Sequence, residues 1–119
     1  MQDLYVKIHE YLNMDEEISF EEFDDYYKTV IKQFSEVSDD LVEEDVWKAL
    51  FIIENLMSNA ESRAKESKAA KQKKYKKMAD RSALWAQNFA GRLYKLGYTE
   101  EQLNERFEKM FQDYANIKA

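Results

Sequence analysis

The sequence predicts an all-α protein: a small bundle of four or five helices, with one long, partly projecting lysine-rich helix. Three observations carry this. The 119 residues include no proline and only two glycines, too few for the turns of a sheet protein. Apolar residues recur at every third and fourth position over most of the chain. Several runs open with a small capping residue followed three positions later by Glu or Gln, the signature of a helix start.

The elements follow in order within a single domain. Leu4, Ile8 and Leu12 form one stripe and predict a helix over 3–12. In "ISFEEF", Ser19 and Glu22 form a capping box, flanked by Ile18 and Phe23 at staple spacing. The helix it opens runs to about residue 37 and buries Phe23, Tyr27, Val30, Ile31 and Phe34, so acidic helices occupy 3–37. "SDDLVEED" predicts a third helix over 40–58, capped by Asp40, with Glu43, Glu44 and Asp45 complementing its dipole. Its face of Val46, Ala49, Leu50, Ile53, Leu56 and Met57 is the strongest core signal in the chain.

No glycine or proline then intervenes until Gly91. One helix from 40 to 96 would be ~85 Å long, too long for a domain of this size. "SNAE" supplies a capping box in Ser58 and Glu61, which predicts a break near 58–62 and a basic-then-apolar helix over 60–96. Gly97 ends that helix in a left-handed turn. Thr99 and Gln102 open the last one, over 100–116, with Leu103, Phe107, Met110, Phe111 and Tyr114 on its inner face.

Charge is segregated along the chain. Residues 1–62 carry net −13, residues 63–81 net +7 and residues 82–119 zero, for a total of −6. Such asymmetry points to electrostatic pairing within the chain, between copies or with a partner. The basic strip holds Arg63, Lys65, Lys68, Lys71, Lys73, Lys74, Lys76, Lys77 and Arg81. On a helical wheel its lysines circle the axis, and Lys71 falls on the apolar stripe itself. The strip is therefore expected to stand away from the core. Its readings, in order of weight, are a solvated face, a site for an acidic protein, and a nucleic-acid site. Against the last stand the scarcity of arginine and the single stacking aromatic, Tyr75.

The acidic counterpart is "MDEEISFEEFDDYY", with seven acids in fourteen residues. Its first reading is an amphipathic helix start with a charged outer face; in the functional reading Asp15, Glu16, Glu17, Glu21, Asp24 and Asp25 would form a docking surface for a protein partner, with Tyr26 and Tyr27 as its anchors. The same stretch resembles the second half of an EF-hand loop, with Ile18 at the hydrophobic position and Glu22 at the closing acid. Tyr11 stands where the first ligand belongs, however, and Glu16 where the loop needs glycine. "VEEDVWKALFII" resembles the acid-rich helices of all-α nucleotide pyrophosphohydrolases, a resemblance that implies magnesium held by paired carboxylates. Glu43, Glu44 and Asp45 have no second pair in the required relation.

Several chemistries find no footing. There is no cysteine for thiolate ligation or thiol catalysis, and no glycine-rich phosphate loop. His9, the only histidine, is expected at a surface or half-buried structural position. The longest apolar run, "ALFII", is far short of a membrane span, and no membrane contact, metal or other cofactor is expected. The acids of "TEEQLNE" exclude DNA reading by the helix after Gly97. The expected protein is thus cytoplasmic and non-catalytic, a regulator or inhibitor that binds another protein through its charged surfaces. Phage-type inhibition of a nucleic-acid enzyme is one version of this role. Self-association is a further expectation, and nucleic-acid binding by residues 63–81 is the alternative.

Overall fold

The computed structural model describes the backbone of residues 1–118 and the side chains of residues 1–113. Among the described residues five helices form: α1 Gln2–Leu12, α2 Phe20–Val37, α3 Glu43–Glu66, α4 Ala69–Lys95 and α5 Glu100–Lys118. A 3-10 turn, Ser38–Asp40, joins α2 to α3. No strand occurs among the described residues. The side chain of Tyr114, expected on the inner face of α5, lies outside the described residues.

Two predicted start signals form as hydrogen bonds. The Glu22 N–H donates to Ser19 Oγ at 3.1 Å. Gln102 N–H donates to Thr99 Oγ1 at 3.2 Å, while Thr99 N–H donates to Gln102 Oε1 at 2.8 Å, a complete capping box. At the end of α4, Gly97 has φ +106°. Its N–H donates to Tyr94 O, and Tyr98 N–H donates to Leu93 O. That pair of bonds is a Schellman motif.

Asp40 does not cap α3. It lies in the 3-10 turn, and α3 starts from the extended Val42, which offers no side-chain cap. The Arg92 guanidinium on α4 holds the Ser38 carbonyl and fixes this turn against the bundle. Glu43, Glu44 and Asp45 fill the first turn of α3, where they face the helix dipole.

The core is built around α3. Trp47, Leu50, Phe51, Ile52, Ile53 and Leu56 are almost wholly buried along it. Phe51 is the hub: Tyr5 and His9 of α1 meet its ring at 5.4 and 5.0 Å, Phe107 and Phe111 of α5 at 5.8 and 4.8 Å. Phe34 of α2 meets Trp85 and Phe89 of α4 at 5.6 and 5.0 Å, and Phe20 meets Tyr75 at 5.4 Å. Helices α2 and α4 therefore run side by side in the same direction, while α3 and α4 form an antiparallel hairpin.

The break expected near 58–62 is instead at Ser67–Lys68, both extended. The physical reason lies in the small residues. Ala60, Ala64, Ala79, Ser82 and Ala86 are buried on α3 and α4. A stretch that looks weak on a hydropathy scale is therefore a helix–helix seam, and stopping α3 at 58 would leave half of it unmade. The link is short because Ala69 adopts a left-handed conformation, φ +58°.

The lysine-rich segment does not stand away from the bundle. Tyr75, Met78 and Ala79 are buried within it, and Gln72 donates to the Ala64 carbonyl of α3 at 3.1 Å. The 27 residues of α4 span ~40 Å, and the whole molecule is 42 Å long. The wheel misled because Lys65 and Lys68 lie on either side of the break and do not share one helix.

Candidate functional site

The two predicted surfaces sit side by side, each reduced by residues that belong to the core. In the acidic surface, Asp15, Glu16, Glu17, Glu21 and Asp25 are exposed. Asp24 is half-buried and pairs with Lys28 at 2.8 Å. Tyr26 is not an exposed anchor. It is only 6% accessible, and its hydroxyl donates to the Leu4 carbonyl at 2.7 Å, clamping α1 onto α2. Burial pushes its phenol above the ordinary range. Tyr27 is half-buried and faces α4, where the charge of Arg81 opposes the upward effect of burial on its phenol. Tyr11 is pushed up to about 12, first by burial and then by the Glu22 carboxylate.

In the basic surface, Lys65, Lys68, Lys71, Lys73, Lys74, Lys76, Lys77 and Arg81 are exposed. Arg63 is not available to a partner. It is 7% accessible and spans three elements. Its guanidinium donates to Asn59 Oδ1 at 2.5 Å, to the Tyr75 hydroxyl at 3.3 Å and to the Ile18 carbonyl at 2.9 Å. It also lies over the Phe23 ring at 4.6 Å. A sequence window cannot separate this arginine from its basic neighbours; its place three residues after the buried Ala60 and seven after Leu56, on one helix face, is the signal that was there to read.

Lys71 and Lys74 each reach over the Phe20 ring, 5.5 Å from its centroid. Lys71 thus occupies the apolar stripe while remaining exposed, with its ammonium over an aromatic face. The opposite charges of α2 and α4 are close, yet they do not neutralise each other. Among the described residues three ion pairs form, Lys7–Glu10, Lys28–Asp24 and Lys48–Glu44, all within single helices. None uses a residue of the basic strip.

Between α2 and α4 runs an open groove of about 850 Å³. Tyr27, Met78, Leu84 and Trp85 supply its apolar surface, and Lys74, Lys77 and Arg81 its cationic rim. Asp24, Lys28 and Asp80 also line it. Leu84 is 67% exposed, although it neighbours the packed Trp85. The sequence reading missed this groove. Its trace was Leu84, an apolar residue one step off the helical stripe.

A smaller cavity of about 240 Å³ lies beneath the segment joining α1 to α2, with Asn59 and Arg63 in its wall. His9, expected at a half-buried or surface position, is fully buried. Its ring packs edge-on to Tyr5 at 4.6 Å and stacks on Phe51. Burial lowers its pKa, and the Asp113 carboxylate opposes that in part. Among the described residues, no three histidine or acidic side chains gather as a metal site would require. No helix of the described residues is long and apolar enough to cross a membrane.

The fold and these surfaces define an all-α helical bundle with separated charged faces. No protein-family model, curated protein or solved structure matches the chain.

Proposed function

We propose that this is a non-catalytic cytoplasmic regulator that binds another protein through its acidic and basic surfaces. The observation that supports this is the unused charge. Asp15, Glu16, Glu17 and Glu21 on one side, and Lys73, Lys74, Lys76 and Lys77 on the other, are exposed and form no ion pair with one another. Keeping like charges clustered costs stability through repulsion, and a partner of opposite sign removes that cost. The groove adds uncovered aromatic and aliphatic surface beside the charge, the composition of a binding centre with a charged rim. Inhibition of a nucleic-acid enzyme, in the manner of phage-type inhibitors, is one role such surfaces suit.

The second reading, a nucleic-acid module, draws on the exposed lysines of α4. Two features weigh against it. Arg63 is occupied in the core, and Asp24 and Asp80 line the groove, where they would repel phosphates.

The test is capture from the native cell by the immobilised chain, with and without nuclease. Two variants serve as comparison, one with Asp15, Glu16, Glu17 and Glu21 changed to amides and one with Lys73, Lys76 and Lys77 changed to glutamine. A protein retained after nuclease and lost with either variant supports the proposal. Capture abolished by nuclease, together with filter binding to DNA or RNA that weakens steeply with salt, supports the second reading instead.

A further inference from the structure

Two exposed features of the surface match each other chemically. The first is the segment leaving α1, where Leu12 and Met14 are 39% and 50% exposed and are followed by the exposed Asp15, Glu16 and Glu17. The second is the α2–α4 groove, where the 67% exposed Leu84 sits below Lys74, Lys77 and Arg81. Each combines uncovered apolar surface with unpaired charge, and the charges are opposite. We infer that the 12–17 segment of one copy docks in the α2–α4 groove of a second copy, giving a dimer held by Leu12 and Met14 on Leu84 and Trp85, with carboxylates against the cationic rim.

Within one chain the pairing is not made: among the described residues no ion pair joins the segment to the groove. Arg63 holds the Ile18 carbonyl at 2.9 Å and so pins the end of the segment to α3. Phe20, which follows the segment in sequence, is covered by Lys71 and Lys74 of α4. Both surfaces adjoin α2, so a two-fold axis lets each copy offer a segment and receive one. The contact is then made twice, which raises a small patch toward the ~800 Å² per partner of a stable interface. Asp80 in the groove opposes an acidic guest, while Asp24 and Lys28 offset each other. The net attraction rests on Lys74, Lys77 and Arg81, because Lys28 is already paired with Asp24.

This inference rests on the protein-binding reading and names one occupant of the groove. Sedimentation equilibrium of the full chain over a wide concentration range tests it. The expected mass rises from 14.3 kDa at high dilution toward twice that, and the dimer weakens in about 1 M salt, where charges are screened beyond ~3 Å. Asp15→Lys, Glu16→Lys and Glu17→Lys together abolish it, as do Lys74→Glu, Lys77→Glu and Arg81→Glu together. A chain carrying both sets of reversals dimerises again, which separates lost pairing from lost folding. Leu84→Ser weakens the dimer without changing any charge. A monomer at every concentration overturns the inference, as does a dimer indifferent to either charge set or one that the double reversal fails to restore. If the chain is monomeric and groove variants still release a captured protein, self-pairing fails while the protein-binding reading stands.

Discussion

The Arg63 guanidinium donates to the main-chain carbonyl of Ile18 at 2.9 Å, across 45 residues of sequence. This one bond ties the acidic entry of α2 to the C-terminal half of α3, and it takes the first cation of the basic strip out of reach of any partner.

Replacing Arg63 by alanine removes the donors to Asn59, Tyr75 and Ile18 and uncovers the face of Phe23. Buried acceptors left unsatisfied cost ~1–3 kcal/mol. A loss of about 3 kcal/mol is expected in urea denaturation. Arg63→Lys recovers only part of it, because an ammonium cannot serve three acceptors in the planar geometry of the guanidinium.

Ser82 lies in the α3–α4 seam, fully buried, and its hydroxyl has no hydrogen-bond partner. Ser82→Ala removes a desolvated polar group without opening a large cavity. The expected gain is about 1 kcal/mol, read as a rise of roughly 5 °C in the melting midpoint for a chain of this size.

Among the described residues two backbone positions have left-handed φ, with opposite consequences. Ala69, at φ +58°, bears a Cβ in a conformation that costs an L-residue ~1–2 kcal/mol. Ala69→Gly relieves this and stabilises by about 0.5–1 kcal/mol, after the extra chain entropy of glycine is subtracted. Gly97, at φ +106°, has nothing within 4 Å of an added Cβ. Gly97→Ala therefore destabilises through the backbone alone, by about 1 kcal/mol or more. Denaturant midpoints of both variants check the pair.

Acidification acts on two groups with opposite sign. His9 is buried and its pKa lies below the ordinary 6.5, so the unfolded chain takes up a proton that the native chain refuses. Its contribution is complete above pH 6.5 and is lost as pH falls toward the native value. Glu54 is raised above 4.5, by burial and then by Glu61, so the native chain holds a proton the unfolded chain releases. Its contribution is present below pH 4.5 and lost as pH rises through the native value. Denaturation between pH 4 and 8 should show Glu54→Gln stabilising at neutral pH, with that gain vanishing below pH 4.5.

The local parts of the fold were legible in the sequence because they need only neighbouring residues. Ser19 accepts from the N–H three residues on, and Thr99 and Gln102 cap each other, whatever lies elsewhere in the chain. Asp40 failed as a cap because it lies in the 3-10 turn and α3 starts beyond it, from Val42; Arg92, fifty-four residues beyond Ser38, holds that turn at the Ser38 carbonyl. Tyr26 and Arg63 looked like surface residues from their acidic and basic neighbours, while their hydrogen bonds run to Leu4 and Ile18 on other elements.

The helical class, the face of α3 from Val46 to Leu56, the glycine stop at 97 and the segregation of charge are all written in the order of residues. Periodicity and capping are properties of a dozen consecutive residues, so one strand of text contains them. Where the long helical run breaks, which side of the lysine strip is buried, and that α2 and α4 leave a groove between them follow from packing between helices. Those outcomes depend on how closely two backbones approach. Here alanine and serine, nearly mute on a hydropathy scale, permit the closest approach, while Phe20 and Trp85 hold their helices further apart.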